Sequence, residues 1–134
     1  MIRSTVGALL DCRADATGIY VISDGKRCLY VGRTQRLGIG RRLYRHLHDG
    51  DKQTRCCKLS GPMRRAWPLS RDWTVEVWEP LEIARHYGFE RPSKTYGPDW
   101  AERTLQDVLR PAYCAVSATT VPVFEQPSLW GMPT

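Results

Sequence analysis

Five side chains in this chain are of types and spacings that could do chemistry together: Tyr20 and Tyr30, Arg42 and His46, and Glu102. Cleaving a phosphodiester needs an activated water, a counter-charge for the pentavalent transition state and help for the departing 3′ oxygen. Glu102 is the carboxylate best suited to hold one hard divalent cation, Mg²⁺ or Mn²⁺, whose remaining shell is water and phosphate. Arg42 can grip a non-bridging phosphate oxygen with its planar fork. His46 follows Arg42 by four residues, so on a helix the two project together. The two phenols can serve a single site only if they share a face.

The elements that must position these groups can be read from the pattern. Residues 18–22 and 28–31 are runs of β-branched and aromatic residues, which suit a half-buried pleated surface. The stretch Ser23-Asp24-Gly25-Lys26 between them is a hairpin turn. A two-residue Asp24-Gly25 loop would pair Tyr20 with Leu29 and send the two phenols to opposite faces. A three-residue Ser23-Asp24-Gly25 loop pairs Tyr20 with Cys28 and leaves Tyr30 diagonal on the same face; this register is expected, because it lets both phenols serve one site. Ile39, Leu43 and Leu47 recur at helical spacing and Gly50 is a natural stop, which puts Arg42 and His46 on an adjacent face of that helix. Residues 51–62 read as a basic loop and 63–67 as a helical turn closed by Pro68. Residues 73–78 read as a third strand, a short helix lies within 82–99, and residues 100–110 are helical with Asp99 as N-cap and Pro111 just beyond. Residues 1–17 form a leading element, with a helical turn after Ser4, and residues 115–134 a Pro-containing C-terminal extension of the same single domain. The expected fold is α+β, a small three-stranded, mostly antiparallel sheet flanked by helices.

Charge is concentrated rather than spread. Residues 33–65 carry ten Lys/Arg against two Asp, a local +8, within a chain of 134 residues whose net charge is +6. Such a segment is the footprint of a phosphate backbone. The nucleic-acid-binding candidates are Arg33, Arg36, Arg41, Arg45, Arg55, Lys58, Arg64 and Arg65. No apolar run is long enough to span a bilayer, and the N-terminal stretch does not read as a conventional signal peptide. The five cysteines are odd in number and show no zinc spacing, so reduced thiols in the cytoplasm are expected.

Gly18-Ile19-Tyr20 and Tyr30-Val31-Gly32, then Arg42 and His46 on the next helix, then Glu102 opening a helix that ends before Pro111-Ala112-Tyr113, together resemble the GIY-YIG endonuclease family. The resemblance covers roughly residues 18–47 and 100–114. It implies that Tyr20, with its pKa lowered near Arg33 and Arg42, helps take a proton from water. Tyr30 would orient the phosphate or that water, and His46 would hydrogen-bond Tyr20 or shuttle a proton. Gly18 and Gly32 are supporting positions of the two motif words. Cys114 departs from the pattern, standing where the family commonly has an Asn that buttresses the site; activity would be reduced, or another polar group would supply the support.

Plainer readings stand beside these. The tyrosines could be cross-strand packing residues, Arg42 a surface charge, and Glu102 the N3 partner of a capping box. Trp67, beside Arg64 and Arg65, could fill a core or stack on a base. The expected function is metal-dependent hydrolysis of DNA, more than RNA, with one ion per site and a possible protein partner for specificity. The alternatives are a catalytically weakened nucleic-acid-binding module on the same fold, and a basic protein-interaction or ribosome-associated domain.

Overall fold

Four short segments pair into one antiparallel sheet: Ile2–Thr5 (β1), Gly18–Ser23 (β2), Cys28–Thr34 (β3) and Thr74–Trp78 (β4), in the order β1-β4-β2-β3. The structure is a computed structural model and describes residues 1–48, 59–86 and 97–113. The helices are Val6–Asp11 (α1), Ile39–His48 (α2), Ser60–Ala66 (α3), Pro80–His86 (α4) and Pro98–Leu109 (α5), with a 3₁₀ turn over Leu69–Asp72. Tyr20, Ile22 and Tyr30 point into a core shared with Val6, Leu9, Ile39, Leu43 and Met63. Ile19, Val21 and Val31 point the other way, onto Ile83, Ala101, Leu105 and Leu109. Helices therefore cover both faces, and this explains why β2 and β3 are apolar almost throughout instead of alternating.

The α+β class is as expected, but the sheet has four strands and not three. The extra strand is β1, whose residues Ile2 to Thr5 pair with Val77 to Thr74. The helix of the leading segment starts one residue later than expected, with Thr5 as the cap accepting from Ala8 N at 3.1 Å. Val6 and Leu9 of this segment lie in the core. The hairpin register also differs: Tyr20 faces Gly32 and Ile22 faces Tyr30, with an irregularity before Ser23 pairs with Cys28. Asp24 Oδ1 accepts from the backbone of Lys26 and of Arg27, so the turn is built on an Asx contact. The two phenols are still diagonal neighbours on one face. Residues 60–62 belong to α3 and not to a loop; the rest of the expected basic loop, residues 51–58, lies outside the described residues.

β4 carries one carboxylate inward. Glu76 has no exposed surface; Trp78 Nε1 donates to its Oε1 at 3.1 Å, and Arg3 stands 3.8 Å from Oε2. Burial pushes this carboxyl up from its ordinary 4.5 to about 7, against the weaker pull of Trp78 and Arg3. The folded state thus holds a proton that the unfolded chain releases, and the resulting stability is lost as pH rises from 4.5 to about 7. Glu76→Gln is expected to stabilise the protein by roughly 2–3 kcal/mol near pH 8 and by much less near pH 5. Denaturant unfolding at the two pH values checks this; a variant that unfolds like the wild type at both would contradict it.

Candidate active site

The hairpin sets the two phenols over a glycine. A Cβ at Gly32 would lie 2.6 Å from Tyr30 Cε2 and 2.8 Å from both Cζ and the hydroxyl of Tyr20, so only glycine lets the two rings lean over β3. Their centroids are 5.6 Å apart. Gly18 is required for a different reason: its φ is +145° and a Cβ would fall 2.4 Å from the Trp78 carbonyl oxygen. We expect Gly32→Ala to cost about 1–3 kcal/mol through overpacking and to shift both rings. Denaturation gives the first quantity and near-ultraviolet circular dichroism the second; an unchanged aromatic spectrum would count against the contact.

Helix α2 brings the polar groups to those rings. Its start is tied down where Ile39 N donates to Ala16 O at 2.8 Å and Gly40 N to Ala14 O at 2.9 Å. Ile39 and Leu43 are fully buried, as the sequence stripe predicts, and His46 is buried beside them. The Tyr20 hydroxyl and His46 Nε2 are 2.8 Å apart, and Arg42 Nε donates to the same hydroxyl at 3.3 Å. Tyr30 meets the His46 ring edge to face at 5.2 Å. Burial, helped by the Arg42 charge, lowers His46 from 6.5 to about 3, so the imidazole is neutral at physiological pH. Its protonated fraction there is on the order of 10⁻⁴, too small for a standing proton carrier. For a depressed histidine the linked stability is present above 6.5 and is lost as pH falls toward 3. Burial works against the Arg42 guanidinium, but the Tyr20 and Tyr30 oxygens beside it outweigh that and hold its pKa raised.

The carboxylates come from α5. Its N-cap is Gly97 and not Asp99, so Glu102 lies beyond the N3 position that a capping box uses. Asp99, assigned from sequence to capping, stands instead in the first turn three residues before Glu102, on the same side of the helix. Arg33 on β3 reaches both, pairing with Asp99 and placing its Nε 3.6 Å from Glu102 Oε1. Burial raises the Glu102 carboxyl, with Asp99 adding to it, while Arg33 and Arg42 pull it down by less. Arg42 is thus within electrostatic reach of Glu102. The chain after α5 turns at Arg110, which has left-handed backbone, and Ala112 N and Tyr113 N then donate to the carbonyls of Cys28 and Leu29. Gln106 Nε2 donates to Val31 O at 3.2 Å, so α5 is tied along β3, the same strand that carries Tyr30 and Gly32.

Set against known proteins, the chain matches no family model, no curated protein and no solved structure. The donor set therefore has to be weighed on its own chemistry. Among the described residues no group of three or more His, Cys, Asp or Glu converges. Two adjacent carboxylates still fit a small hard cation that keeps most of its shell as water and phosphate. Asp99 was not among the residues expected at the site; its three-residue spacing from Glu102 and the helix start put the two carboxylates on one side of α5. Among the basic candidates, Arg36, Arg41, Arg64 and Arg65 are exposed, Arg45 is half-buried, and Arg33 is engaged by the carboxylates. Arg55, Lys58 and Cys114 lie outside the described residues. No helix among the described residues is long and apolar enough to cross a membrane.

Proposed function

We propose that the chain is a metal-dependent endonuclease of the GIY-YIG type that hydrolyses phosphodiester bonds in DNA, working in the reducing cytoplasm. The observation that carries this reading is the Arg42 guanidinium, hydrogen-bonded to the buried Tyr20 hydroxyl. A phenol bonded to a phosphate-gripping cation, with a carboxylate whose charge acts on that cation, is what phosphodiester hydrolysis asks for; packing alone asks for none of them. Arg42 binds a non-bridging phosphate oxygen, and in turning toward it uncovers the Tyr20 oxygen for the attacking water. His46, held neutral, keeps the Tyr20 oxygen in place and donates a hydrogen bond to it in the phenolate form that takes the water's proton; it is a positioning residue and not a proton carrier. Tyr30, packed on both rings, limits where the phosphate can sit. Glu102 and Asp99 are the residues that would hold one Mg²⁺ or Mn²⁺, which when bound supplies positive charge to the leaving 3′ oxygen. Arg33 must share both carboxylates with that cation.

A second reading, a nucleic-acid-binding module without catalysis, is favoured by one observation: Tyr20 has no exposed surface. Nicking of supercoiled plasmid DNA separates the two. Cleavage with Mg²⁺ or Mn²⁺ that stops on chelation is expected, whereas DNA binding with no nicking under either ion would leave only the binding module.

A further inference from the structure

On the side of α2 away from Tyr20 the structure has a second cleft, of about 880 Å³, between the end of α1, the start of α2 and Trp67. Its walls are aromatic: Tyr44, 53% exposed, stacks on His48 with centroids 4.1 Å apart, and Trp67 is 38% exposed. Arg71 braces the Trp67 wall, with its guanidinium 5.6 Å from the ring centroid and Nη2 2.6 Å from Asp11 Oδ2. Arg13, Asp15 and Arg41 also line the cleft. Trp67 and His48 line a further cavity of about 300 Å³ with Arg64. This is not an apolar groove. Flat rings stand among guanidinium groups, and Asp15 adds a carboxylate that can accept from an exocyclic amino group.

We propose that this cleft binds an unpaired nucleobase of single-stranded DNA. Aromatic rings stack on any base whose face is available, and in a duplex those faces are already stacked on each other. The surrounding arginines take the phosphates, while Asp15 meets the donor edge of the base. The cleft and the candidate active site lie on opposite sides of one helix. Arg41 lines the cleft, Arg42 touches Tyr20, and Arg45 lies one turn beyond Arg41, so basic side chains wind around a helix only about 10–12 Å across. A strand crossing α2 places its scissile phosphate at Arg42 and a nearby unpaired base between Tyr44 and Trp67. The substrate class is thus DNA with unpaired nucleotides next to the cut, such as a flap, gap or splayed junction. This assignment of substrate rests on the endonuclease reading, but binding by the cleft does not.

The test is equilibrium binding in chelator, where no cleavage occurs, of a fluorescein-labelled single-stranded DNA oligonucleotide of mixed sequence and of its duplex. Wild type is expected to bind the single strand more tightly. Tyr44→Ala and Trp67→Ala should each weaken single-strand binding about tenfold, change duplex binding less than about twofold, and Tyr44→Phe should retain wild-type affinity. Tyr44 is exposed, so its variant keeps the fold and decides the matter alone if Trp67→Ala does not fold. Equal losses on both DNAs, or none on either, would overturn the proposal. A lost single-strand preference with plasmid nicking intact removes the cleft and leaves the endonuclease; a retained preference without nicking does the reverse.

Discussion

Glu102→Ala is expected to reduce metal-dependent plasmid nicking by about a thousandfold or more while DNA affinity in chelator stays the same or rises. Glu102 is the inner of the two carboxylates on α5, with its side chain 25% exposed against 78% for Asp99. The Arg42 charge also acts on it. On the proposed assignment, losing it removes an oxygen ligand for the cation and a negative charge from a basic surface, so catalysis and phosphate binding should move in opposite directions. The stability cost should be within about 1 kcal/mol, because the Arg33 pair is partly exposed and solvent screens it. A Glu102→Ala protein that nicks as fast as wild type would remove Glu102 from the site. Equal weakening of binding and cleavage would mean that its role is structural.

Tyr20→Phe tests the other half of the mechanism. The ring is wholly buried and can stay where it is, so the substitution deletes one oxygen and little packing. That oxygen is the shared partner of His46 Nε2 and Arg42 Nε. Activity is expected to fall about 10²–10⁴-fold, the usual contribution of a positioned acid or base. Stability should fall by about 1–3 kcal/mol, because the buried His46 nitrogen loses its hydrogen bond. His46→Gln, which can still bond the hydroxyl, should retain much more activity than Tyr20→Phe, as a positioning role requires. If Tyr20→Phe loses stability but nicks at the wild-type rate, the phenol is a core residue and the water must be activated elsewhere.

What the sequence by itself determined is local. The two strand runs, the stripe Ile39, Leu43, Leu47, and the placing of Arg42 and His46 on one side of a helix all follow from periods of two and 3.6, which each segment carries alone. The candidate residues Tyr20, Tyr30, Arg42 and His46 do meet, because the hairpin and the next helix are neighbours in sequence and in space. What the tertiary structure decided is every feature that depends on a partner far along the chain. β1 is four residues with two exposed positions, too short and too polar to read as a strand until β4 pairs with it. The hairpin register carries an irregularity between Ile22 and Ser23, beside an Asx turn and with both rings over Gly32, which counting loop residues does not reveal. Glu102 ceased to be a cap once α5 began at Pro98, with Gly97 as its N-cap. Asp99 came to share a side of α5 with Glu102 for the same reason, and Arg33, read as a DNA contact, is held by both. Burial did the rest: His46 carries the ordinary histidine pKa in any sequence, and only the core around it, with Arg42 alongside, makes it neutral.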